Sequence, residues 1–425
     1  MSKKINFIQN SSFMPAIPNS LQKLFSPAQI NGLAMKNRII KAATFEAMLD
    51  DNNNISNRCI DFHERFAKGG VAMTTLAYCA PEADGRMIDS YLYVREEIRP
   101  QLQKLADRIH AHGCMLSGQI AHCGGFSRNK KLIRKRPVAP STQFSSVGML
   151  YGNFFTMTMD KATMEEVARS YADCGRIMKE SGFDAVELHF GHGYLLSQYI
   201  SPLTNKRKDE YGGSIENRMR YPLEVLAAVR EAVGDQFPIL AKITMYDDLK
   251  GGISPEDGIN SAILLDKAGI DGIILSAGTS SQNPMLVFRG GSIMPGLLQY
   301  EKSAIMRLGI RLVGRSMFRN YPYRELYLLD IAKSIRAAVR CNLIYVGGAT
   351  EVESLEKVMD AGFDFVQLGR PLLRDPNMVQ HLEELNSHYI NGCDHCNRCV
   401  AFMNDPAGIR CVLPPWKEAA PHVPG

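Results

Sequence analysis

No run of apolar residues in this 425-residue chain is long enough to cross a bilayer, so a transmembrane segment is not expected. The opening MSKKINFIQNSSFMPAIPNS lacks a continuous apolar region and a small-residue cleavage site. A secretory signal is therefore not expected either, and the chain reads as cytoplasmic. Charge of one sign is scarce: 49 Lys and Arg stand against 44 Asp and Glu, a net +5, and nothing calls for a nucleic-acid partner. Hydrophobic residues at 45% and charged residues at 22% are the balance of a globular protein with a large core. The length suits one barrel domain with loop insertions.

Cysteine is present but unevenly placed. Cys59, Cys79, Cys114, Cys123, Cys174 and Cys341 are scattered and read as small core residues. Cys393, Cys396, Cys399 and Cys411 crowd the C-terminus with gaps of x2, x2 and x11. Four thiolates so spaced are candidate ligands for an iron–sulfur cluster or a zinc ion, or a relic that merely packs near the rest of the chain.

Eight short β-rich runs can be marked: 38–44, 71–78, 114–121, 185–190, 239–244, 272–278, 343–348 and 365–370. Most are followed by a segment of helical period, which implies parallel pairing through right-handed crossovers. Helix starts are expected at Thr163 with Glu166, at Thr350 with Glu353, and at Ser254 followed by Pro255. The segments ESGFDAVEL, KAGIDGIIL and DAGFDFVQL repeat one pattern, with a glycine where a helix must end in a left-handed residue before the next strand. The expected fold is α/β, a (β/α)8 TIM barrel over 21–390, with an extension at 1–20 and a cysteine-rich tail at 391–425. A doubly wound sheet would carry similar punctuation.

Two segments interrupt the alternation, 123–160 and 279–341, and both are expected to line a pocket. In the second, Arg307, Arg311, Arg315 and Arg319 recur at helical spacing with Ile310, Leu312, Val313, Met317 and Phe318 between them. That pattern reads as a solvated helix face, or as a lid or membrane-surface helix.

In a barrel, chemistry sits at the C-terminal strand ends. Read together, those ends offer Ala42, Ala43 and Thr44; Ala77 and Tyr78; Gln119 with His122 nearby; His189, His192 and Tyr194; Lys242; Gly347 and Gly348; Gly369 and Arg370. This set has no pair of carboxylates and no Ser/His/Asp arrangement. The glycine turns suit a phosphate because a missing Cβ lets backbone N–H groups come close, and Arg370 adds a charged fork. Gln119 and Lys242 suit the polar edge of a ring, so the set describes a phosphorylated heterocycle.

The motifs LFSPAQINGLAMKNRII, SGQIAHCGG, HFGHGYLLSQYISPLTNKRKDEYGGSIENR and VQLGRPLLRDP resemble the Old Yellow Enzyme family over roughly residues 20–385. The resemblance implies FMN as cofactor, NADH or NADPH as co-substrate and an activated alkene as acceptor. It implies that His189 and His192 donate to the alkene's carbonyl oxygen and that Tyr194 protonates the α-carbon. It places Lys242 beside flavin N1 and O2, and Gln119 at the pyrimidine edge. Larger relatives, similar to 2,4-dienoyl-CoA reductase, space their cluster cysteines x2, x3 and x11; here the second gap is one residue shorter and no FAD domain is expected. The family's Thr, Cys or Ser is Phe45 in this chain, so its polar contact is lost or shifted to Thr44, and the preceding proline is Ala43.

The expected function is therefore an FMN-dependent ene reductase acting on a small molecule. The alternatives are a metal-dependent barrel hydrolase or lyase using His189 and His192, and a non-catalytic flavin-binding protein. For the metal alternative Glu187 is the best remaining ligand, and it is expected to point away from His189 or to pair structurally. A homo-oligomer is compatible with all three.

Overall fold

The computed structural model describes residues 19–145, 148–301, 303–402, 405 and 407–415. The expected extension at 1–20 and the end of the tail thus lie almost wholly or partly outside the described residues. Eight parallel strands close into a barrel in sequence order: β1 (Ile39–Lys41), β2 (Met73–Cys79), β3 (Met115–Ile120), β4 (Ala185–Phe190), β5 (Ile239–Thr244), β6 (Gly272–Ser276), β7 (Asn342–Tyr345) and β8 (Phe365–Leu368). Each falls within one residue of a run read from the sequence, and β4 and β5 coincide with theirs residue for residue.

Alternation along the strands explains the interior. Inward positions change from apolar to polar toward the C-terminal ends: Ala185, Glu187, His189 on β4; Leu240, Lys242, Thr244 on β5; Phe365, Gln367, Gly369 on β8. The apolar layer, with Ile40, Met73, Leu240, Ile274, Ile344 and Phe365, packs against Ile30 and Met35 of the hairpin Ala28–Met35, which plugs the bottom. Outward positions join the surrounding helices in the main core.

The repeated Gly-x-Asp pattern has a specific use. Gly182, Gly269 and Gly362 adopt φ of +88°, +77° and +83°, turning each helix end toward its strand. Two residues on, each aspartate accepts the first or second N–H of the neighbouring strand: Asp184 from Leu116 at 2.7 Å, Asp271 from Ile239 at 2.7 Å and Asp364 from Leu343 at 2.9 Å. The repeat thus ties together strand starts that would otherwise present unpaired donors.

Helix starts follow the sequence less closely. Ser254 caps its helix, with Asp257 completing the capping box. At the other two places the cap lies elsewhere: Asp160 accepts from Thr163 N at 2.8 Å, so Thr163 is already inside the helix, and Glu351 holds the cap position after Thr350. A carboxylate three residues upstream outcompeted Thr163, and Glu325 occupies the Thr350 N–H at 3.0 Å.

Above the apolar layer lies a polar one centred on Glu187, which is wholly buried. Register sets Gln119 beside Glu187 and His189 beside Lys242. Lys242 Nζ is 2.8 Å from Glu187 Oε1, Gln119 Nε2 donates to the same oxygen at 2.5 Å, and Gln367 Nε2 donates to Oε2 at 3.0 Å. Glu187 shares its face of the strand with His189, and it is the structural pairing that keeps it from acting as a ligand. Lys242→Met is expected to leave a buried carboxylate without its counter-ion and lower stability by about 3–5 kcal/mol in urea unfolding. Adding Glu187→Gln to that variant should restore part of the loss; no recovery would contradict the pairing.

Candidate active site

The strand ends surround one chamber of about 770 Å³. Its wall includes Ala42, Ala43 and Thr44 after β1, Ala77 on β2, Gln119 on β3 and Lys242 on β5. Gly347, Gly348, Gly369 and Arg370 line its other side, and His189, His192 and Tyr194 line it after β4. His122 does not join them: its Nε2 is 3.0 Å from Glu82 and its Nδ1 accepts from Gly124 N at 2.9 Å, so it braces a loop.

Local backbone fixes the β4 cluster. His192 has a left-handed φ of +57°, held because its N–H donates to Thr244 Oγ1 at 2.8 Å. Its ring lies 4.9 Å from that of His189, nearly perpendicular, and the Tyr194 ring is 4.7 Å from His189. Gly191 N donates to His189 Nδ1 at 3.3 Å, which leaves the proton on Nε2; Ser276 Oγ is 2.7 Å from His192 Nε2. Burial, with His192 and Lys242 adding to it, drives the His189 pKa well below the usual imidazole range. Burial and Lys242 lower that of His192 to about 3. Burial raises the Tyr194 phenol above its ordinary value, helped by Tyr91 and Cys123 and opposed by Arg128. The cluster therefore holds two neutral imidazoles and a protonated phenol at any ordinary pH.

The insertions supply more of the wall: Phe126, Arg128, Met149 and Tyr151 from 123–160, and residues from Ser280 to Leu328 from 279–341. Helix Ala304–Met317 has two faces. Gly309, Ile310 and Gly314 face the chamber, while Arg307, Leu308, Arg311 and Leu312 are exposed. It is at once a roof and a solvated arginine face; the side chains of Val313, Arg315 and Met317 lie outside the described residues. No helix among the described residues is long and apolar enough to cross a membrane.

A family model described as NADH:flavin oxidoreductase / NADH oxidase family matches residues 23–281. The chain belongs to that family. It is 36% identical over 391 residues to 4,4'-dithiodibutanoate disulfide reductase of Rhodococcus erythropolis, covering 92% of this chain and 94% of that one. It is 29% identical over 399 residues to NADH oxidase of Thermoanaerobacter brockii, covering 92% of this chain but 56% of that protein. The fold matches the solved complex of 2-naphthoyl-CoA reductase with a TM-score of 0.77 at 25% identity, over 93% of this chain and 57% of that one. The chain thus spans about half the length of several relatives and nearly all of the Rhodococcus enzyme.

The family is that of Old Yellow Enzyme, and the chamber suits its flavin. Gln119 turns its amide nitrogen to Glu187, which leaves its oxygen as an acceptor, and Gln367 Oε1 is buried with no protein partner among the described residues. Two acceptors and the Lys242 cation on one floor match the polar edge of an isoalloxazine. At Gly369 an added Cβ would meet only Thr44 and Ala42, at 3.6 and 3.8 Å, so the glycine leaves room rather than avoiding protein.

Phe45 makes no polar contact; its ring stacks on Tyr91 at 4.2 Å. The neighbouring Thr44 hydroxyl accepts from Lys41 Nζ at 2.6 Å. The four tail cysteines lie near one another, with Cys393, Cys411 and Cys396 all acting on the Cys399 thiol. Among the described residues no three His, Cys, Asp or Glu side chains converge to hold a metal. Cys399 lies on the chamber wall, Cys396 accepts from Arg398 Nε at 3.4 Å and Cys393 is 3.8 Å from His395 Nδ1. The tail straps the chamber: Arg370 donates to Asn397 Oδ1 at 2.6 Å and Ile409 N to Glu46 O at 3.1 Å.

The sequence reading missed Thr244 and Ser276, which hold His192, and the cluster of Lys41, Glu46 and His63 behind Thr44. Polar residues at inward strand ends were the available signal for the first two. Lys41 is wholly buried, 3.9 Å from Glu46 and over the rings of Phe62 and Phe66. Burial lowers its pKa to about 8, against the pull of Glu46. The unfolded chain, with lysine near 10.4, then binds more protons than the folded one between these values, so this group's contribution to stability rises with pH across that window. Urea unfolding should show wild type gaining on Lys41→Met from pH 8 to 10; a constant difference would show Lys41 unperturbed.

Proposed function

We propose that this flavin-dependent oxidoreductase is an FMN enzyme that uses NADH or NADPH to reduce an electron-poor C=C bond. The observation that carries the reading is the pair of neutral imidazoles beside a buried, protonated phenol. Gln119, Gln367 and Lys242 would hold the ring edge of FMN, Ala42 to Thr44 and Ala77 its flank, and Gly347, Gly348, Gly369 and Arg370 its phosphate. When bound, FMN supplies hydride exchange at N5, first with the nicotinamide and then with the acceptor.

The chain's own residues do the rest. His189 offers its Nε2 proton to a carbonyl oxygen, and His192, held by Ser276, offers a second donor. Hydride addition at the β-carbon moves charge onto that oxygen, and donors fixed before reaction stabilise it without reorganisation. Neither imidazole carries charge, so neither gives up a proton. Tyr194 keeps its proton until the α-carbon needs it and acts as general acid. The aromatic wall of Phe45, Tyr78, Tyr91 and Phe126 excludes water and suits a flat acceptor.

A disulfide acceptor is a second reading. The near full-length match to a protein named as a disulfide reductase supports it, as does Cys399 on the chamber wall. Offering 4,4'-dithiodibutanoate and a cyclic enone to the same reduced enzyme separates the two by rate of reoxidation.

Tyr194→Phe is expected to slow enone-dependent reoxidation by about 10²-fold or more while slowing reduction by NADPH far less. Equal slowing of both half-reactions would sink its role as proton donor. Reoxidation should also be flat from pH 5 to 7.5, since His192 titrates near 3 and Tyr194 well above its ordinary value. A tenfold change with a midpoint at about 6.5 would mean that a histidine of ordinary pKa controls the step.

A further inference from the structure

We propose that Arg128 forms an anion subsite in the chamber and that the acceptor reduced by this chain carries a carboxylate. The inference builds on the ene-reductase reading and names the class of substrate that the same site would take. Among the described residues three cationic side chains other than histidine line the chamber, and two are engaged. Lys242 pairs with Glu187, and Arg370 donates to the Arg289 carbonyl and to Asn397.

Arg128 differs. Its backbone N–H is fixed on Met87 O at 2.7 Å, yet among the described residues its guanidinium donates to no side chain or carbonyl, and its Nε is buried without a partner. The guanidinium carbon lies 5.4 Å from the Phe126 ring centre and 5.9 Å from that of Tyr151. Two ring faces hold the fork in place but leave its N–H edge unused. A half-buried cation that keeps its donors unsatisfied is poorly placed for stability and well placed for a ligand.

Its position relative to the chemistry is set by Phe126, which packs edge-on against Tyr194 at 6.4 Å. Arg128 therefore stands one ring beyond the proton donor, and its charge opposes the rise in pKa of both Tyr91 and Tyr194. An acceptor with its carbonyl on His189 and His192 would reach this fork with a substituent on the far side of the alkene. A carboxylate fits better than a phosphate dianion, because one guanidinium balances one charge and the wall around it is aromatic and apolar.

The test is a titration of benzoate and benzamide into oxidised holoenzyme, read from the perturbation of flavin absorbance. Wild type is expected to bind benzoate at least tenfold more tightly, and Arg128→Gln to erase the preference. Arg128→Lys, which keeps a point charge without the fork, should fall between and serves if the Gln variant loses its flavin. A wild-type preference under tenfold, or one that survives in Arg128→Gln, overturns the subsite. NADPH is the rival source of an anion: weaker NADPH binding in Arg128→Gln with benzoate preference intact would assign the residue to the nicotinamide and overturn the proposal. With reduced enzyme, the ratio of kcat/KM for 4-oxo-2-pentenoate over its methyl ester should fall at least tenfold in Arg128→Gln. If neither alkene is reduced while the benzoate preference holds and depends on Arg128, the subsite stands and the ene-reductase reading fails.

Discussion

A carboxylate buried to the last atom on the floor of a barrel is tolerable only if every lone pair it exposes is met, and Glu187 satisfies this through Lys242, Gln119 and Gln367. Much of the site follows from that requirement. Pulling the Gln119 nitrogen down to the carboxylate turns its oxygen upward; pairing Lys242 holds a cation at the same level; and Gln367 is left with an oxygen that only something in the chamber can satisfy. The floor is thus polarised before any cofactor arrives, and four strands, β3, β4, β5 and β8, must keep their register for it to exist.

Above that floor the site works by suppressing titration rather than exploiting it. Burial and the nearby lysine keep His189 and His192 neutral, and burial keeps Tyr194 protonated. Groups so held are suited to stabilising charge and to delivering one proton without exchanging others with solvent, as the proposed reaction requires. Where the resemblance leads one to expect a small polar residue, this chain has Phe45 stacked on Tyr91, while the adjacent Thr44 hydroxyl accepts from Lys41.

The barrel was legible because its signals are local: eight runs of inward and outward alternation, and a Gly-x-Asp repeat whose aspartates tie strand starts together. His189, Lys242 and Gln119 were legible as strand-end residues, whereas Gln367 was not singled out and Glu187, which period two puts on the face of His189, was expected to point away from it or to pair structurally. What was not legible depends on competition or on distance. Thr163 has the composition of a cap, but Asp160 stands three residues earlier and takes the N–H first. Arg128 lies in an insertion that the sequence only marks as pocket-lining, and only the fold shows its guanidinium over Phe126 and, together with Lys130, over Tyr151. The tail cysteines have ligand-like spacing, but only three-dimensional placement shows one thiol on the chamber wall and no converging set of ligands among the described residues.

The claim that joins these parts is that one chamber passes hydride to the β-carbon of an activated alkene while Tyr194 protonates its neighbour. Anaerobic turnover of an enone with deuterium-labelled NADPH in ordinary water, followed by NMR of the product, tests it most directly. The account predicts a yellow protein bleached by NADPH, with deuterium on the β-carbon and a solvent-derived proton on the α-carbon. A colourless protein, or one whose reduced flavin passes no deuterium to the enone, would contradict it.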